Sequence, residues 1–110
     1  LIAPPGQASR GSQRRIEMIR SSGNRVEVSG DMTLPSASML LEDGGKALEN
    51  PETVFDLAQV TDVDSSCIAV IFGWLREAQR QEKTIRIINP PKDLLSLAAV
   101  YDVSELLPLA

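Results

Sequence analysis

The stretch FDLAQVTDVDSSCIAVIFGW, from Phe55 to Trp74, decides how this chain is read. Thr53 to Leu57 reads as a short central strand. A short acidic loop follows, Asp62-Val63-Asp64, and Asp64-Ser65-Ser66 then opens a helix that runs to about Lys83. Asp and Ser are both good N-caps, because a side-chain oxygen accepts a free backbone N–H of the first turn. The tripeptide therefore has a plain structural reading as a cap. The same place also sets a hydroxyl, Ser65, beside unpaired N–H groups that carry roughly half a positive charge. That is a suitable spot for a second protein to touch. Both readings stand on the residues.

The helix adds a further question. Ile68, Ile71, Phe72 and Leu75 lie on one face, the expected core face. Cys67, Val70 and Trp74 widen the apolar arc to roughly 200° at about 100° per residue, more than one sheet face requires. Ser66, Ala69 and Gly73 form a stripe of small residues beside it. Gly73 within a helix costs about 1 kcal/mol relative to Ala. Two explanations are open. A foreign backbone approaches the stripe, or helix packing inside the domain buries Trp74 and tolerates Gly73.

Working outward, Arg25-Val26-Glu27-Val28 alternates polar and apolar as a half-buried strand does. With Ile16–Arg20 it predicts a β-hairpin through Ser21-Ser22-Gly23-Asn24, closed by Ser29-Gly30-Asp31. Leu34 to Leu48 has helical spacing interrupted by Gly44-Gly45, which predicts a helix broken or ended there. Asn50-Pro51 forces a boundary. Beyond the Phe55–Trp74 stretch, Thr84–Ile88 is a strand and Asn89-Pro90-Pro91 ends it. Lys92 to about Val100 is a helix, and Val103–Leu107 is a last helical turn or two. The order ββαβαβαα predicts one α/β domain with a mainly parallel sheet and helices against it. Residues 1–15, rich in Pro, Gly, Ser, Gln and Arg, read as a flexible arm before a domain spanning 16–110.

Composition narrows the function. The 110 residues suit one domain with its own core. His is absent and Cys67 is the one cysteine, so disulfide frameworks, zinc, haem and iron–sulfur sites lack their residues. A serine–histidine or cysteine–histidine nucleophile is excluded on the same ground. A single thiol fits a reducing compartment. The net charge of −4 gives no broad field for nucleic acid or an anionic membrane. The longest apolar run, Cys67–Leu75, is about half of what spans a bilayer.

Several weaker signals are set aside. Asp43-Gly44-Gly45-Lys46 lacks the spacing of a phosphate loop. Asp56, Asp62 and Asp64 lack calcium-loop spacing, and capping and solvation suit them better. Arg14-Arg15 is too small a patch for nucleic acid. A small enzyme built on Asp64 and Ser65 at a strand-to-helix turn has no His and no glycine-rich loop to support it.

From about Ile16 to Leu109, the succession of a strand, V-T-D-V-D-S-S, an I-A-V-I helix, T-I-R-I-I-N-P-P and D-L-L-S-L-A-A-V-Y-D-V-S-E-L-L resembles the STAS family (sulfate transporter and anti-sigma factor antagonist). Within it, the tail L-L-S-L-A-A-V-Y-D-V-S-E-L-L is similar to the branch of small cytoplasmic subunits of phospholipid-transport ABC complexes. The resemblance implies a single STAS domain with a mixed, mainly parallel sheet of four to five strands. It implies a non-catalytic, cofactor-free protein that docks onto the ATPase subunit of an ABC transporter and supports the lipid asymmetry of the outer membrane. Its location would be cytoplasmic, peripheral at the inner membrane through the partner. The alternative it implies is an anti-sigma factor antagonist, whose partner is a serine kinase of anti-sigma type. In antagonists the Ser or Thr directly after the motif Asp is phosphorylated, and that position is Ser65 here. Cys67 stands where many members have Gly or Ala, so the antagonist pattern D-S-x-G is incomplete. The expected partner-facing surface is Asp64, Ser65, Ser66, Ala69 and Gly73, with Tyr101 on its rim. A homodimer is left open.

Overall fold

A computed structural model describes residues 18–110. The expected arm at 1–15, and the start of the first strand at Ile16, lie outside the described residues.

Strand β1 (Ile19–Ser22) and strand β2 (Arg25–Met32) form an antiparallel hairpin. Ser22 pairs with Arg25, so the turn is only Gly23-Asn24, and Ser21-Ser22 belong to the strand. Gly23 takes φ +65°, which glycine adopts without a Cβ penalty. Strand β2 does not stop at Ser29-Gly30-Asp31 as expected; it runs on to Met32. A 3-10 turn, Leu34–Ser36, then leads into α1 (Ala37–Lys46). Strand β3 (Glu52–Val63) pairs parallel with β2 along its length. It is followed by α2 (Ser65–Arg80), β4 (Thr84–Ile88), α3 (Lys92–Val100) and a 3-10 turn, Ser104–Leu106.

The sheet order is β1-β2-β3-β4, with β2, β3 and β4 parallel. Each crossover steps the same way along the sheet, so right-handed connections bring the helices to one face. That face presents Val26, Val28, Phe55, Leu57, Ile85 and Ile87, which share one core with Leu40, Val70, Ile71, Trp74, Leu94 and Ala98 from the three helices. The opposite face carries an ionic layer. Arg25 pairs with Asp56, and Arg86 with Glu52. After the last turn, Pro108 and Ala110 bond to Ile87 and Leu109 bridges it in parallel, the start of a fifth strand.

Helix α1 is continuous through Gly44-Gly45 and ends one residue later, at Lys46; of the two outcomes expected at the pair, a break or an end, the structure has the end. Gly44 is there because a Cβ would lie 2.1 Å from Nε1 of Trp74. Strand β3 is more than twice its expected length, since the acidic tail Ala58–Val63 stays extended by pairing with β2. Extra residues in β3 opposite Glu27–Ser29 and Gly30–Asp31 make two bulges there.

Candidate functional site

Asp64 ends β3 and caps α2. It sits in extended backbone, and its Oδ1 accepts the N–H of Ser66 at 2.8 Å. Its Oδ2 accepts the N–H of Leu34 at 3.1 Å, and its own N–H donates to the carbonyl of Met32. One carboxylate therefore ties the start of α2 to the turn that follows β2. Partial burial pushes the Asp64 carboxyl up, but the N–H groups of Ser66 and Leu34 and the Ser66 hydroxyl outweigh that and hold it below the ordinary value. The capping role read from the sequence is therefore present.

The cap does not account for Ser65. Its side chain is exposed and makes no hydrogen bond to any described residue. Ser66 is half-buried, and Ala69, one turn further along the same side, is exposed. Ser65, Ser66 and Ala69 thus form an open corner with Asp64 behind them.

The structure separates the other two expected residues from this corner. Gly73 lies eight residues along α2, about 12 Å at 1.5 Å per residue. Its close approach is made from within the domain, because a Cβ there would meet Cδ2 of Leu41 in α1 at 2.2 Å. Trp74 beside it is fully buried, stacks on Phe55 with centroids 4.2 Å apart, and donates Nε1–H to the Leu40 carbonyl at 2.9 Å. Packing between α1 and α2 therefore explains the wide apolar arc. It also moves the core face: Cys67, Val70 and Trp74 are buried, while Phe72 and Leu75 are half-buried. Tyr101 is exposed but caps the far end of α3. The near end of α3 faces the tail of β3 that leads into the corner, where Pro91, Lys92 and Asp93 line a gap of about 120 Å³ with Thr61, Asp62 and Val63. Tyr101 stands about 13 Å of helix away from it.

Leu34, counted in the sequence with the helically spaced apolar residues up to Leu48, is 72% exposed on the 3-10 turn. Pro35 carried the available signal, since the residue before a proline is biased out of the helix. Cys67, read as a small hydrophobe, is fully buried, and burial, with a minor push from Asp64, moves its thiol up to about 12, so it stays protonated.

Among the described residues no group of acidic, Cys or His side chains is arranged to hold a metal ion. No described helix is long and apolar enough to cross a membrane. A depression of about 910 Å³ lies between α1 and α2, over Leu41, Leu48 and Gly73, and Ser65 does not line it.

The family described as "Mlab, STAS domain" matches residues 17–108. The chain belongs to the STAS family. This STAS domain is 37% identical over 51 residues to the intermembrane phospholipid transport system binding protein MlaB of Haemophilus influenzae, a match covering 46% of this chain and 49% of that one. The chain thus spans about half the length of this curated relative. Its fold is similar to that of the anti-sigma factor antagonist SpoIIAA in its unphosphorylated form, with TM-score 0.56 and 11% identity over 72% of this chain and 77% of that one. It is also similar to a Thermotoga maritima protein described as an anti-sigma factor antagonist, with TM-score 0.69 and 10% identity over 88% of each. At those identities the two structures speak for the STAS fold alone.

Proposed function

We propose that this STAS domain is a non-catalytic docking subunit, MlaB-like, that binds the ATPase of a phospholipid ABC transporter on its cytoplasmic side. The observation that carries the reading is the Ser65 corner. A hydroxyl with no hydrogen bond to any described residue stands exposed beside a turn that the Asp64 carboxylate ties down. The MlaB relative, whose name places it in a phospholipid transport system, supports the choice of partner. Ser65 would donate across the interface, and Ser66 and Ala69 would let the partner approach closely. By binding one state of the ATPase better than another, the domain would shift that protein's population and so its activity.

A second reading is an anti-sigma factor antagonist switched by phosphorylation at Ser65. The same exposure favours it, together with the positive end of α2, which suits a phosphate. Asp62 and Asp64 oppose the added charge. The two readings differ in partner and not in fold. Affinity purification of the tagged full chain from its native lysate, with mass spectrometry of the eluate and of Ser65, tests them. An ABC ATPase with its permease and unmodified Ser65 is the expected result. A serine kinase of anti-sigma type with phosphorylated Ser65 would overturn the first reading in favour of the second.

A further inference from the structure

The corner also specifies what kind of surface fits it, an inference that rests on the docking reading above. Leu34 is a large apolar side chain at 72% exposure on a braced turn. The Leu34 N–H is held by Asp64. The Thr33 N–H donates to Ser36 Oγ at 3.1 Å, and Ser36 Oγ–H in turn reaches the Asp31 carbonyl at 2.9 Å. Pro35 fixes its own φ. An exposed leucine by itself is ordinary. This one is immobilised through the residue that positions Ser65, so little backbone freedom remains to be lost on contact.

The setting of Leu34 is acidic. Asp31 and Asp62 are register partners on adjacent parallel strands, both exposed. Like charges directly opposite each other are unfavourable. Thr33 Oγ1 donates to Asp31 at 2.6 Å, which orients that carboxylate without neutralising it. No Lys or Arg among the described residues forms an ion pair with Asp31, Asp62 or Asp64. Lys92 and Asp93, which share the small gap with Asp62, cancel each other and leave the sign unchanged.

We infer that the partner presents an apolar pocket for Leu34 rimmed by lysine or arginine, and that the two parts of the contact act on different rates. These carboxylates, without an ion pair among the described residues, accelerate encounter, an effect that salt screens. Leu34 acts after encounter, on how long the complex lasts.

The test is binding kinetics of the full chain with the purified ATPase subunit of its cognate phospholipid transporter, at low and raised NaCl. The double variant Asp31→Asn/Asp62→Asn should associate about 10-fold more slowly at low salt and lose most of the salt dependence. Leu34→Ser should dissociate about 10-fold faster, with its association rate changed by less than about 2-fold. Thermal midpoints no lower than the parent's confirm that both variants fold. If both bind like the wild type while Ser65→Arg does not bind, the docking reading survives and this inference falls. If the wild type does not bind, both fall. Binding that EDTA abolishes would assign the carboxylates to a bridging cation and overturn the basic rim.

Discussion

The first turn of α2 and its middle are built from similar residues and do opposite things. Ser65, Ser66 and Ala69 are small, and so is Gly73, together with Gly44 and Gly45 across from it. At the first turn, small side chains leave an exposed corner whose Ser65 hydroxyl bonds to no described residue. In the middle, they let α1 close onto α2 until Gly44 touches the Trp74 ring and Leu41 fills the space over Gly73. A small residue in a helix therefore marks close approach without saying what approaches. The neighbouring large residue decides: Trp74 needs a cover of its own chain, and Ser65 does not.

That contrast can be broken at its strongest point. Trp74→Ala removes the Phe55 stack and the bond to Leu40, and should cost about 3–5 kcal/mol in chemical denaturation. A loss under about 1 kcal/mol would mean that the middle of α2 is not sealed. Gly44→Ala should come next, at about 1–3 kcal/mol, because the rigid Trp74 ring lies where the Cβ would go and the gain in helix propensity offsets only part of the strain. Gly73→Ala sharpens the comparison, since it meets the movable end of Leu41 and should fall within about 1 kcal/mol of the parent. Ser65→Ala should leave the denaturation midpoint where it is, within about 0.5 kcal/mol, since no described residue loses a bond.

The outer face of the sheet gives a dependence on acidity. Burial raises the Asp56 carboxyl, but Asn89, the Ala58 N–H and Arg25 together bring it below its ordinary 3.8. The unfolded chain then binds the proton more readily than the folded one, so stability rises with pH in that range. The contribution is complete above the ordinary value and is lost as pH falls below it toward the lowered one. Denaturation of Asp56→Asn against the parent should show a gap near neutrality that closes in acid. A gap of constant size would remove the ionic contribution. Thr53 carries a buried hydroxyl with no hydrogen-bond partner among the described residues, so its removal is expected to act in the opposite direction. Thr53→Val should be neutral or stabilising by up to about 1 kcal/mol, measured in the same way.

The start of β2 at Arg25–Val28, the strand Thr84–Ile88, the helix from Lys92 and the cap at Asp64 were legible because each rests on local chemistry: alternation, period and a side-chain oxygen one residue before a helix. The fate of Gly44 was not, since the residue that requires it is Trp74, thirty positions away. The tail of β3 was also hidden, because Ala58–Val63 looks like a polar loop until β2 pairs with it. For the site, Ser65 could be read from its cap position. The place of Gly73 and Tyr101 depended on how far along each helix they fall and on what packs there, and Leu34 was masked by its fit to a helical period that Pro35 cuts short.

The central claim is that a second polypeptide covers the Ser65 corner. Titration of the purified ATPase subunit into the full chain and into Ser65→Arg tests it most directly, with the denaturation midpoints of both measured alongside. A tight complex for the parent, none detectable for the variant, and matching midpoints are the predicted result. Equal affinity for the two chains would contradict it.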